Sequence, residues 1–270
     1  MVVFDNFMHI RPSGCFIKAA LRFKMAGGTA LNLVNFPEHY LCSNYYEKLY
    51  NETIKTGKMI EEHLNVIITL GPYPLDYIYF KNSGKDPLKE MVNGIDLAVK
   101  IIKDGHADAL GEIGTPHFNV DDDFYNVCLK VLDYALEASR DNKIPLIIHS
   151  EDFNCNGYKN LEDKIKRLGD INITVKHHAN PNDIGCNDYL YKSIIASRSG
   201  IRNAINYKKP FMIETDYVDD KSKPGKVIPP ESVPLRARMI RNSYDNHDEI
   251  LNMIFSEVPY KIYKKDFFID

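Results

Sequence analysis

Short apolar runs alternate with longer amphipathic stretches along most of the chain. Eight of the runs read as strands: Val2 to Asp5, Thr29 to Asn35, Val66 to Leu70, Asp108 to Gly114, Pro145 to His149, Ile171 to His177, Ser193 to Ser197 and Pro210 to Asp216. Helical patterns fill the gaps at Asn44 to His63, Pro87 to Lys103, Phe124 to Ser139, Leu161 to Leu168 and Gly200 to Lys208. In the second of these Leu88, Met91, Ile95, Val99 and Ile102 fall near the three-and-four spacing of one helix face. Strands alternating with helices favour a parallel sheet. Eight strands favour closure into an α/β (β/α)8 TIM barrel over an open doubly wound sheet. Two further helical patterns, Leu235 to Ser243 and Asp248 to Phe255, predict a C-terminal helical tail around the outside. Such a barrel takes about 250 residues, so one domain over residues 1–270 is expected.

The formal net charge is −3. That excludes a global basic field of the kind a dedicated nucleic-acid coat carries, and any nucleic acid substrate would have to be gripped locally. The five cysteines are scattered without a CxxC pair, which predicts reduced thiols, a cytoplasmic protein and no zinc–thiolate site. The opening MVVFDNFMHIRPSG has no basic segment followed by an apolar run, so no signal peptide is expected. No stretch approaches the ~20 apolar residues of a membrane span. Gly27-Gly28 is not followed by a nucleotide-binding glycine pattern.

In a barrel of this kind the site lies at the carboxyl ends of the strands. There the sequence supplies Asp5 and His9 from the first strand, Glu112 from the fourth, His149 from the fifth, His177-His178 from the sixth and Glu214-Thr215-Asp216 from the eighth. A lone histidine at a strand end is ordinarily a surface or packing residue. Metal-competent side chains at five strand ends are hard to assign to packing. A bound divalent ion lowers the pKa of its water from 15.7 to roughly 7 and polarises a scissile bond. Imidazole and carboxylate suit zinc, and a carboxylate-rich site also accepts manganese or magnesium.

The order of these residues resembles the TatD-type metal-dependent hydrolases of the amidohydrolase superfamily. Gly111-Glu112-Ile113-Gly114, Ile147-Ile148-His149 and Glu214-Thr215-Asp216 match that family's patterns, and the ETDYVDDKSKPG segment resembles its archaeal branch. The likeness extends from about residue 1 to about residue 264, where VPYKIYK looks like the family's closing helix. The resemblance implies that Glu112 bridges two ions, that His149 and His177 hold one, and that His9 and Asp216 help hold the other. It also implies Asp216 as proton acceptor from the attacking water, and a phosphoester, ester or amide as substrate, deoxyribonuclease activity included.

Two departures qualify it. The family's first strand reads Asp-x-His-x-His, whereas here Phe7 stands between Asp5 and His9 at the same parity. Phenylalanine offers no lone pair, so one tight ion is expected at Glu112, His149 and His177, with the second weak or absent. Where the family commonly has a basic residue after the fifth-strand histidine, this chain has Ser150-Glu151-Asp152, which argues against a strongly anionic substrate. Lys221, Lys223 and Lys226 restore some positive charge.

His177 competes with His178 for one ligand role; alternation along the strand sets them on opposite faces, and the family pattern favours His177. His117, in the loop after GEIG, is a candidate substrate contact or proton shuttle. His178 and Tyr217 are further candidates for the pocket wall. Asp5 is expected to orient a neighbour from below. His39, His63, His106 and His247 fall in helical or loop contexts and read as structural or solvated. The competing function class is a barrel that has lost turnover and serves as a binding or interaction module, a reading that Phe7 motivates.

Overall fold

A computed structural model describes residues 2–38, 43–169, 173–186, 188–223 and 225–269. His39, Cys42 and the expected start of the sixth strand at Ile171 lie outside these residues. The strands are β1 (Phe4–His9), β2 (Ala30–Val34), β3 (Asn65–Leu70), β4 (Ala109–Gly114), β5 (Leu146–His149), β6 (Thr174–Ala179), β7 (Tyr191–Ile195), β8 (Met212–Glu214) and β9 (Tyr217–Val218). Their order in the sheet is β8-β7-β6-β5-β4-β3-β2-β1-β9, and every pairing is parallel. Only two residues separate β8 from β9, and β9 pairs with β1 through Met8–Tyr217 and His9–Val218. The curled sheet thus returns on itself as a TIM barrel.

The helices are α1 (Ile17–Met25), α2 (Tyr45–Glu61), α3 (Asp76–Asn82), α4 (Pro87–Lys103), α5 (Asp122–Asn142), α6 (Cys155–Leu168), α7 (Arg198–Asn206), α8 (Ser232–Ser243), α9 (His247–Asn252) and α10 (Val258–Tyr263). Their starts follow local chemistry. Asp86, Asp121, Asn154 and Ser197 each accept a backbone N–H of the first turn of α4, α5, α6 and α7, which satisfies a donor the helix leaves free. Helix α4 also has proline at its first position. The helices α8 to α10 form the expected C-terminal tail.

Two helices were not expected. Helix α1 buries only Ala19, Ala20 and Phe23, a face too small to stand out as an apolar stripe. Helix α3 has seven residues, too short for periodicity to show. Strand β1 runs four residues past its expected end, to His9; within this extension Asn6 is buried and its Oδ1 accepts from Tyr263 Oη.

The thiol expectation is corrected. Cys155 and Cys186 form a disulfide, 31 residues apart in the chain. The barrel lays the first turn of α6 beside the loop after β6, a closeness that spacing alone does not reveal. Tyr158 Oη donates to Asp183 Oδ2 at 2.9 Å as a second tie between the same segments. Cys15 and Cys128 are free. The disulfide removes the ground on which a reducing compartment was expected. No helix among the described residues is long and apolar enough to cross a membrane.

Candidate metal centre

The register slips in three of the strands that carry the candidate residues: between Asp5 and Met8 in β1, Leu110 and Ile113 in β4, and Lys176 and Ala179 in β6. Such bulges bend a strand and re-aim side chains, and they concentrate at barrel rims. In β4 the slip depends on glycine. Gly111 and Gly114 sit at φ +148° and +155°. A β-carbon on Gly111 would lie 2.8 Å from the Ile147 carbonyl oxygen, and one on Gly114 would run into the His149 carbonyl oxygen. The two glycines of GEIG let β4 approach β5 closely, and that approach brings Glu112 to His149.

Glu112 stands at the centre. Its Oε2 lies 2.8 Å from His149 Nδ1 and 2.9 Å from His177 Nε2. Its Oε1 lies 3.3 Å from His9 Nε2. The two ring nitrogens are 3.0 Å apart, and the donor atoms of Glu112, His149 and His177 all fall within 4.8 Å of one another. Asp216 completes the ring, with Oδ1 3.9 Å from His9 Nε2. His9 Nδ1 lies 3.0 Å from the Val34 carbonyl, which fixes the tautomer that leaves Nε2 with its lone pair toward Glu112.

This donor set fits a divalent cation. Two imidazole nitrogens and a carboxylate oxygen aim at one point, and burial leaves water little room to separate them. Two imidazoles and a carboxylate with further coordination places open is an arrangement that suits catalytic zinc. The charge balance is correspondingly strained. Burial opposes a charged Glu112, yet the His177 and His149 rings outweigh it and hold its carboxyl well below the usual range. Burial likewise opposes a proton on His177, but the Glu112 carboxylate overrides it and pushes the pKa up to about 10. In His149 burial wins, and its pKa falls.

Phe7 is completely buried and stacks on the His177 ring at 4.1 Å, 12° from parallel. It meets the His9 ring edge-on at 5.0 Å. The residue that takes the place of a ligand therefore braces two of the remaining donors. Behind the rim, the fully buried Asp5 accepts from the backbone N–H of Phe7 and Thr215 and from the Thr215 hydroxyl. Asp5 thereby ties β1 to the residue that precedes Asp216. Burial pushes its carboxyl up to about 8.

The TatD related DNase family matches residues 4–264. The chain belongs to this family. It is accordingly a metal-dependent hydrolase of the TatD type. A curated relative from Methanocaldococcus jannaschii, described as Uncharacterized protein MJ1127, is 24% identical over 98% of this chain and 96% of its own. Two solved structures share the fold. The TatD-like protein from Archaeoglobus fulgidus has a TM-score of 0.62 at 16% identity, covering 97% of this chain and 100% of its own. The TatD homologue YJJV from Escherichia coli has a TM-score of 0.59 at 14% identity, covering 97% and 98%.

In this TatD-family chain the strand alternation argument holds for His177 and fails for His178. His178 has φ +49° in the β6 bulge, which swings it to the mouth, where its Nδ1 lies 3.1 Å from Asp216 Oδ2. Asp216 has the same φ of +49°, at the break between β8 and β9. His117 does reach the site: its Nδ1 lies 3.0 Å from His149 Nε2. Tyr217 does not line the pocket. It points away, fully buried, and its hydroxyl bonds Asp219 Oδ1 at 3.1 Å, because the β9 pairing turns it toward α1. Asp219, unforeseen from sequence, also caps the backbone N–H groups of Cys15 and Phe16 at 2.7 Å each.

The donors open into a cavity of about 570 Å³. Phe36, Tyr73 and Leu75 form one wall, and Ser150, Asp152 and Lys226 lie elsewhere on the lining. Sequence reasoning missed the Phe36–Tyr73–Leu75 wall, since those residues lie in loops after β2 and β3 with no motif to mark them. Tyr73 meets the His149 ring edge-on at 5.1 Å. Burial raises its pKa, and the charges of Glu112 and Asp216 raise it further, so its proton stays on. Glu151 leaves the mouth to bond Thr115 and Tyr125 at 3.0 and 3.1 Å, so of the expected acidic pair only Asp152 faces the cavity. Lys221 and Lys223 are not on the lining. His63, His106 and His247 lie away from the site.

Proposed function

We propose that this chain hydrolyses a phosphoester or a small ester or amide around one tightly held divalent ion, zinc in the first instance, with manganese or magnesium as substitutes. The observation that carries this reading is the convergence of Glu112, His149 and His177 on one point, with Asp216 across the same cavity. Glu112, His149 and His177 would hold the ion, which when bound acidifies a water and polarises the scissile bond. His9, the second oxygen of Glu112 and Asp216 remain for a second, weaker place, short of the donor that Phe7 does not provide. That spacing supports one strong place rather than two.

Asp216 accepts the proton of the attacking water. Its carboxylate is free of any lysine or arginine partner among the described residues and meets only His9 and His178. His178, half exposed, hydrogen-bonds it from the solvent side and fixes its orientation. His117 bonds the outer nitrogen of His149 and so holds that ring with Nδ1 inward. Phe7 keeps the His177 ring flat against the barrel interior.

The test combines metal analysis with Asp216→Asn. Wild type retains one tight ion per chain, and the variant keeps that ion while turnover falls by about 10²- to 10⁴-fold, the usual contribution of a positioned proton acceptor. No turnover by the metal-loaded wild type on phosphodiester, ester and amide substrates alike would overturn the hydrolase reading in favour of a binding module.

A further inference from the structure

Among the described residues lining the cavity, Lys226 is the lone lysine or arginine, and it is exposed. Arg11, the nearest other cation to the wall, is already committed. Its guanidinium lies over the Phe36 ring at 4.7 Å, donates to Glu38 at 3.1 Å and to the Asp219 carbonyl at 2.8 Å. Lys176 is buried and donates to the carbonyls of Ser150 and His177. Asp152 adds a carboxylate to the lining. Gripping a nucleic-acid strand takes a groove of cations that tracks its phosphates, and this mouth has one lysine set against Glu112, Asp152 and Asp216.

What the cavity offers instead is apolar surface. Phe36, Tyr73 and Leu75 are half buried and contiguous with the donor cluster through the His9–Phe36 and Tyr73–His149 ring contacts at 5.1 Å each. Val218 and Val227 also line the cavity. Within the wall stands a polar atom: the Tyr73 hydroxyl has no hydrogen-bond partner among the described residues, while its backbone N–H is fixed by Asp76 at 3.0 Å. A half-buried hydroxyl without an acceptor beside a cluster built for hydrolysis is placed to donate to a substrate oxygen.

We infer that the substrate is an uncharged carboxylic ester, lactones included, whose apolar group lies on Phe36, Tyr73 and Leu75 and whose carbonyl oxygen accepts from Tyr73 Oη. This narrows the hydrolase reading above and rests on it. The water oxygen bonds to the ester carbonyl carbon while its proton passes to the Asp216 carboxylate. The acyl C–O bond then breaks, and the departing alkoxy oxygen takes that proton back, so ester and water yield acid and alcohol. Tyr73 is then a catalytic residue, since its hydroxyl faces the oxygen on which negative charge develops.

The experiment uses the metal-loaded full chain on γ-lactones with side chains from methyl to hexyl, matched aryl esters and amides, bis-p-nitrophenyl phosphate and a single-stranded oligonucleotide. Esters are expected to exceed the phosphodiester and the amides in kcat/KM. Lengthening the side chain is expected to raise kcat/KM about threefold per methylene that reaches the wall, a gradient that Leu75→Ala flattens. Tyr73→Phe is expected to lower kcat by about 10²-fold with KM little changed, the effect of removing one donor to a developing oxyanion. A second readout needs no turnover: metal-free protein is titrated calorimetrically with alkyl γ-lactams, and hexyl should bind more tightly than methyl. Phosphodiester turnover without ester turnover, no chain-length gradient in either readout, or an unchanged kcat in Tyr73→Phe would overturn the inference and leave the hydrolase reading standing. Absence of all turnover would remove both.

Discussion

Replacing Asp76 by asparagine separates a stability effect from a catalytic one at a single buried position. Asp76 is 2% exposed at the start of α3 and accepts from Tyr45 Oη at 3.0 Å, Tyr46 Oη at 2.9 Å and the Tyr73 N–H at 3.0 Å. Burial raises its pKa from 3.8 to about 6, and the three donors pull it only part of the way back. A carboxyl raised on folding stabilises the native state fully below the unfolded pKa, and that contribution is lost as pH rises through the folded value. A shift of this size corresponds to about 3 kcal/mol at 1.36 kcal/mol per unit. Urea unfolding of wild type and Asp76→Asn from pH 4 to pH 8 gives the difference directly, because every other titrating group cancels. The wild type is expected to lose about 3 kcal/mol relative to the variant between roughly pH 4 and pH 7, with no further change above. The amide keeps an oxygen for the Tyr73 N–H, so kcat should hold. Parallel stability curves across that range would refute the reasoning.

Phe7→His restores a donor beside His9 and is expected to raise tightly held metal from one ion to two per chain, read by elemental analysis after dialysis; two ions already in wild type would contradict the single-ion reading. Lys176→Met unties the carbonyls of Ser150 and His177 and is expected to weaken metal binding about tenfold in chelator competition, the low end for groups that orient ligands. Unfolded but unreduced protein should titrate two fewer thiols than reduced protein, and Cys155→Ser should lower unfolding stability by about 3 to 4 kcal/mol for a loop of this length. Equal thiol counts would show that the bridge does not form.

Period and punctuation carried the architecture. Each of the eight expected strands has a counterpart, because buried parallel strands are apolar runs between turn signals, and α4 and α5 announce themselves by spacing. Helices α1 and α3 stayed hidden for want of large apolar residues or length. At the site, Glu112, His149 and His177 were legible as strand-end residues. His178 was named for the pocket wall and lies on the lining, yet alternation along a regular strand would not bring it there; the β6 bulge does. Tyr217 failed for the related reason that β9 resumes the sheet after Asp216. The Cys155–Cys186 bridge and the Phe36–Tyr73–Leu75 wall arise where loops distant in sequence meet, which no local pattern records.

The glycines of GEIG answer to the distance between two backbones, whereas the glutamate between them answers to the donors it faces. Those demands are separable. A chain that exchanged Glu112 for an inert side chain would still need hydrogen at Gly111 and Gly114 to let its fourth and fifth strands nest. Half of this signature thus testifies to architecture alone, and only its second letter speaks for chemistry.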